Sequence, residues 1–180
     1  MSDFCMNCME PLHEERPCAC CDTNSQPAPQ VSHHLFPGTV LSNGRYLVGR
    51  ALGQGGFGIT YIGRDLVLNM RVAIKEYYPA SYVGRKSETS SSVVALDTKS
   101  QSRLEAGKRR FLDEARVLAK FHNNQGIVDV RDFFEQNNTA YIVMDYLDGE
   151  TLKDYLKHET IAADRAFTLM RPIMDAPELV

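Results

Sequence analysis

At 180 residues, with 43% hydrophobic and 24% charged residues, the chain has the size and composition of one ordinary globular domain plus a small appendage. A net charge of -3 excludes a general attraction to nucleic acid, so a phosphate-bearing ligand needs locally placed cations. No apolar run nears the roughly 18 residues that span a bilayer, and the start MSDFCMNCMEPL lacks the basic-then-apolar order of a secretory signal; a cytoplasmic protein with no membrane segment is expected.

Five cysteines, at 5, 8, 18, 20 and 21, crowd the first 22 residues, and none follows. In a reducing compartment such a cluster reads as metal ligands before disulfides. Cys5-x-x-Cys8 and Cys18-x-x-Cys21 form two knuckles able to set four thiolates around a structural Zn2+, with Cys20 left over and His13 able to replace one thiolate. Residues 23–37, TNSQPAPQVSHHLFP, have neither helical nor strand periodicity and are expected to be a flexible linker.

From about Gly38 the pattern changes. RYLVGRAL, GITYIGRD and RVAIKEYY are three strand-like runs separated by turn residues. Residues 79–100 are rich in Ser, Thr and Lys and predict a long surface loop with a short strand at 93–96. A helix is expected from near Ser102, with Leu104, Phe111, Leu118 and Phe121 on one face and NNQG as its stop. GIVDVRDFFE and TAYIVMDYL follow as two strands joined by QNN, and helical patterns resume at Leu152 and near Ala162. The order predicts an α+β fold: a five-stranded antiparallel sheet carrying one helix, then the start of a helical part.

LGQGGFGITYIGRD contains Gly53, Gly55, Gly56 and Gly58. A dinucleotide fold would open a helix at the last glycine, whereas ITYIGRD favours a strand, and no G-x-x-x-x-G-K-[ST] occurs. What remains is a glycine hairpin folded over a nucleotide, its backbone N–H groups near the phosphates and Phe57 covering the site. Strand alternation puts Ala73 and Lys75 on one face, where Ala73 leaves room for a flat base and Lys75 can reach the phosphates. On the helix, Glu114 falls within the stripe of Phe111, Leu118 and Phe121, so it needs a cationic partner, and Lys75 is the candidate; neighbouring Asp113 is expected to face water.

Together these segments resemble protein kinases: residues 53–75 look like the glycine-rich loop and strand-three lysine, RFLDEARVLAKFH like the C-helix with Glu114 as the lysine's partner, and YIVMDYLDGETL like strand five and the hinge. The wording LGQGGFGITY with VAIKEYYP is especially similar to bacterial serine/threonine kinases with a zinc-ribbon-like N-terminus. The resemblance implies that Leu52, Gly53, Gln54, Gly55, Gly56, Phe57, Gly58, Thr60, Ala73, Lys75 and Glu114 surround ATP. It further implies that Met144 is the gatekeeper, and that the Asp145 carbonyl and the Leu147 N–H pair with the adenine edge. Thr60 stands where many kinases have Val. The implied reaction is transfer of the ATP γ-phosphate, with Mg2+, to Ser or Thr of protein substrates. The implied domains are a cysteine knot at 1–22, a linker at 23–37, the N-lobe and hinge at 38–147 and the start of the C-lobe at 148–180.

Neither H-R-D-x-x-x-x-N nor D-F-G occurs within these residues; RDFFE at Arg131 belongs to a strand and has no glycine. The catalytic loop and the Mg2+ ligands are therefore expected beyond Val180, and residues 1–180 to be inactive alone. Pro172 and Pro177 should interrupt or cap the last helix. A non-catalytic zinc-binding adaptor, or pseudokinase-like interaction module, is the alternative.

Overall fold

The turn chemistry that separates the apolar runs also sets the architecture. Asn137 and Asn138, both at positive φ (55° and 58°), make the two-residue connection of a hairpin, and Asn69 (φ 53°) closes the turn before the strand that carries Lys75. The structure, a computed structural model, describes residues 4–12, 18, 21, 31–87, 89–121, 124 and 126–175. Strands β1 (Val40–Leu41), β2 (Tyr46–Gln54), β3 (Gly58–Asp65), β4 (Met70–Tyr77), β5 (Val83–Arg85) and β6 (Val93–Ala95) precede helix α1 (Thr98–Leu118). Strands β7 (Val130–Gln136) and β8 (Thr139–Asp145) and helices α2 (Leu152–His158) and α3 (Ala163–Asp175) follow.

One antiparallel sheet has the order β1-β2-β3-β4-β8-β7, and β5 and β6 form a separate hairpin. The sheet thus has six strands where five were expected; the addition is the two-residue β1, which pairs Val40 with Leu47. Its core includes the fully buried Tyr46, Tyr61, Tyr141, Ile59, Ile74 and Leu104. Residues 79–100 are less loop-like than their composition implies, because Val83 and Val93 are buried in that core.

Helix α1 begins four residues before the expected Ser102. The Asp97 carboxylate accepts a hydrogen bond from the Ser100 N–H (2.7 Å), and this cap outweighs the modest helix propensity of the Ser/Thr-rich start. The presumed linker is also partly ordered. Leu35 is 3% exposed within the main core, and His33 stacks on Tyr78 with ring centroids 5.3 Å apart. Residues 23–30 lie outside the described residues. Helix α3 runs through Pro172 rather than stopping there; the chain there is exposed, so water can serve the carbonyl that loses its N–H partner. Pro177 lies outside the described residues.

Candidate nucleotide cleft and cysteine knuckle

The glycine loop joins β2 to β3, and its glycines divide into two kinds. A Cβ on Gly58 would lie 2.4 Å from the Glu76 carbonyl oxygen, so the fold itself requires that glycine. Gly53, Gly55 and Gly56 have no protein atom within 4 Å of a built Cβ and no positive φ; neither packing nor backbone geometry explains them. The loop is fixed at its base, where the Gly55 N–H donates to the Gly58 carbonyl (2.9 Å) and the Tyr78 N–H to the Phe57 carbonyl (3.0 Å). Phe57 projects from its tip, 73% exposed. The Gln54 side chain is occupied elsewhere, bonded to His33 (2.8 Å) and His34 (3.2 Å), which leaves only its backbone for the cleft.

Lys75 pairs across the sheet with Thr60 and Ile142, and Ala73 with Ile62 and Met144, so these residues share one face. Lys75 lines a cavity of about 580 Å³ between the loop and α1, together with Phe57, Tyr77, Arg103, Arg110 and Glu114. Three cations against one carboxylate make this an anion-accepting cavity. Leu52 and Leu147 are 37% and 72% exposed, and Met144 is half-buried on β8, between β4 and β7.

The expected Lys75–Glu114 ion pair is not formed. Glu114 is exposed, and the Lys75 ammonium lies instead 5.5 Å from the centroid of the Phe111 ring. The cause is the rotation of α1: its buried stripe is Leu104, Lys108, Phe111, Leu112 and Ala115, with Leu118 and Phe121 only half-buried, so Glu114 falls beside the stripe. Gly107 fixes that rotation, since a Cβ there would lie 1.8 Å from the Tyr77 hydroxyl. Asp113 is exposed and pairs with Arg116.

The carboxylate that is buried and paired is Glu76, one residue after Lys75 on the opposite face of β4. It accepts from Arg85 Nη1 (2.9 Å) and Nη2 (2.8 Å), from the Tyr61 hydroxyl (2.9 Å) and from the Tyr141 hydroxyl (3.0 Å). Burial first, and then the Glu76 charge, push both phenols well above their ordinary range, so they remain proton donors. Burial opposes the Arg85 charge, but the Glu76 hydrogen bonds outweigh it and hold the guanidinium above its usual value. Lys108 is a second buried charge, paired with Glu105 (3.0 Å) and Glu135 (3.5 Å). Strand alternation could have found Glu76, which continues the inward face of Val72 and Ile74.

At the end of β8, Asp145 forms an ion pair with Arg131, and its N–H donates to the Asp129 carbonyl (3.0 Å). Among the described residues the Leu147 N–H makes no hydrogen bond. Arg71 stacks over Tyr146 (5.1 Å) and reaches Asp148 (3.3 Å).

The second site lies at the N-terminus. Cys5, Cys8, Cys18 and Cys21 have their sulfurs within 4.8 Å of one another, and three of the separations are 3.4, 3.4 and 3.5 Å. A tetrahedron with metal–sulfur bonds of about 2.3 Å has edges of about 3.8 Å, so the set needs only a small expansion to take one ion. No disulfide joins these four, and burial, the main cause, pushes the Cys8 thiol far up. His13 and Cys20 lie outside the described residues. No described helix is long and apolar enough to cross a membrane.

A curled antiparallel sheet with one packed helix, a glycine hairpin and a lysine beneath it defines a nucleotide-lobe architecture. The chain belongs to the protein kinase domain family, whose description matches residues 46–179. It is 30% identical over 141 residues to the serine/threonine-protein kinase pkn2 of Myxococcus xanthus, covering 78% of this chain and 14% of that protein. It is also 30% identical over 154 residues to the serine/threonine-protein kinase PksC of Streptomyces coelicolor, covering 80% of this chain and 24% of that one. Among solved structures, the apo form of PpkA-294 matches with a TM-score of 0.64 at 33% identity, over 71% of this chain and 43% of that chain. The PknI kinase domain of Mycobacterium tuberculosis matches in fold, with a TM-score of 0.56 at 20% identity, over 78% of this chain and 48% of that chain. The chain thus spans less than a quarter of the length of these two curated relatives and under half of the solved kinase chains.

Proposed function

We propose that residues 38–147 are the ATP-binding lobe and hinge of a serine/threonine protein kinase, that residues 148–180 begin its second lobe, and that the whole protein transfers the ATP γ-phosphate to Ser or Thr of protein substrates. One observation carries this: Gly53, Gly55 and Gly56 leave open space that the protein does not use, on the edge of a cavity that holds Lys75. Backbone N–H groups in that space other than that of Gly55, which is bonded to the Gly58 carbonyl, can reach phosphate oxygens, and Lys75 adds the charge. Ala73 and Thr60 face the base, Leu52 covers it, and the Asp145 carbonyl and Leu147 N–H meet its edge. Glu114 reaches Lys75 once α1 rotates inward. Residues 1–180 carry no D-F-G or H-R-D motif, so no Mg2+ ligand and no base can be assigned among them.

The four cysteines fit a structural Zn2+, which supplies folding energy to a segment too small to have a core of its own. Two measurements test these readings. A fluorescent ATP analogue titrated into a protein with both lobes should bind more weakly after Lys75→Ala; equal affinity overturns the nucleotide assignment. Elemental analysis should find about one zinc per chain, lost in the Cys5→Ser/Cys8→Ser double variant; a metal-free purified protein overturns the second.

A further inference from the structure

The knuckle is not a tethered appendage. Met9 is fully buried and forms a second apolar cluster with Leu47 and Ile62 of the sheet, against which Phe4, Met6 and the hinge residue Tyr146 also pack. Ile62 is the direct cross-strand partner of Ala73, so the knuckle abuts the same face on which a base would lie. Polar contacts repeat the attachment: the Arg50 N–H donates to the Met6 carbonyl (2.8 Å), and Arg64 Nη1 to the Met9 carbonyl (2.6 Å).

Gly49, within β2, gives independent support. It has no positive φ, and glycine weakens a strand interior, so its presence needs another reason. A Cβ at this position would lie 2.3 Å from the Met9 methyl, 2.7 Å from the Met6 backbone oxygen and 2.9 Å from the Ile62 Cγ2 methyl of the neighbouring strand. The methyl could move aside, but the backbone oxygen cannot without undocking the knuckle. The two tightest of the three contacts are to the knuckle, so this glycine is what lets the segment seat against β2.

We propose that the metal-loaded knuckle is a clamp on the hinge, and that loading it with metal holds residues 145–148 in one conformation. Arg71 is the positioning residue that transmits the effect. It meets Glu10 of the knuckle (3.5 Å), stacks on Tyr146 and reaches Asp148, and so spans from the metal site to both sides of Leu147. A four-thiolate site ties the turn that presents Met9 and Glu10 to Cys18 and Cys21; losing the metal removes that tie and loosens the apolar cover of Tyr146. The inference rests on reading the cysteines as a zinc site and 145–147 as the base-pairing hinge.

The test is hydrogen exchange on residues 1–180 with zinc content measured in parallel. Stripping zinc with a chelator should raise the exchange rate of the Asp145 amide, which donates to the Asp129 carbonyl where the hinge begins, by about tenfold or more, and zinc alone, added back, should restore protection. Gly49→Val should keep about one zinc per chain yet show the same loss of hinge protection, because it removes docking and not the ligands. Arg71→Ala should do so with unchanged thermal stability, which a merely structural contact would not predict. Zinc present and hinge exchange within twofold of the parent after chelation or in Gly49→Val overturns the clamp and leaves the zinc reading standing. Absence of zinc overturns both.

Discussion

Glu76 and Arg85 form an ion pair that is almost wholly removed from water: their side chains are 0% and 4% exposed, with Nη2 2.8 Å from Oε2. Every oxygen lone pair that faces inward has a donor, and Arg85 also donates to the His33 carbonyl (3.0 Å) and the Ser91 carbonyl (2.6 Å). One guanidinium therefore binds the sheet, the β5–β6 hairpin and the segment before β1 to each other. Arg85→Ala leaves a buried carboxylate short of its counter-charge, and should lower stability by about 3–5 kcal/mol in urea unfolding. Lys157→Ala, which removes an exposed pair with Asp154, should change it by under about 1 kcal/mol.

The same network sets an alkaline limit. The phenols of Tyr61 and Tyr141 are raised by burial and then by Glu76, and that of Tyr46 by burial and then by Asp132. A group whose folded pKa is raised binds its proton more tightly in the folded state, so its contribution is complete below the unfolded value of about 10 and declines above it. The melting temperature should therefore fall as pH rises above about 10, and less steeply in Tyr61→Phe. A profile equally steep in that variant would show that Tyr61 plays no part.

At the acid end the relevant group is Asp65. Burial works against its charge, but the Leu68 and Val67 N–H groups and the Arg45 guanidinium more than offset this and lower its pKa. A lowered folded pKa means stability that is present above the unfolded value, near 3.9, and lost as pH falls through the folded one. Asp65→Asn should remove part of the acid-induced loss in melting temperature below about pH 4.

Much of the fold was legible because strands repeat every two residues and their turns carry Asn and Gly at telling places. The alternation of Ala73 with Lys75 and the QNN turn needed only local reading. What escaped depends on distant partners. Two overlapping apolar stripes exist on α1, and only the packing of Tyr77 against Gly107 decides which one faces the sheet, and hence that Glu114 stays outside. Leu35 and Met9 look like linker and knot residues in the sequence; nothing near them tells that each completes an apolar cluster of the lobe. The six-stranded sheet, likewise, exceeds the expected five only because a two-residue edge finds Tyr46 and Leu47.

Lys75 and Glu114 give different expectations for one chain. Glu114 is exposed and has no ion-pair or hydrogen-bond partner among the described residues, so Glu114→Ala should leave the thermal stability of residues 1–180 unchanged within about 0.5 kcal/mol. In a protein with both lobes, where α1 can close, the same change should cut turnover. Unaltered turnover there would remove Glu114 from the site.

The last expectation concerns residues 1–180 alone. Phosphoryl transfer is almost entirely positioning and charge stabilisation, so its rate depends on Mg2+ ligands and on a carboxylate that orients the attacking hydroxyl. This segment offers the loop and Lys75, but Asp145 pairs with Arg131, Asp148 with Arg71, and Asp154 with Lys157 and Thr151, while Glu114, on the wall of the cavity, is expected to serve Lys75 and not the attacking hydroxyl. Leu52 and Leu147 are both exposed, so electrostatic contacts made beside them are screened by water. Incubation with labelled ATP should therefore yield no detectable phosphate on the chain itself or on a generic acceptor protein, and at most weak ATP binding. Robust autophosphorylation would overturn this, and Asp145→Asn, Asp148→Asn and Asp154→Asn would then show which carboxylate leaves its partner to act as the base.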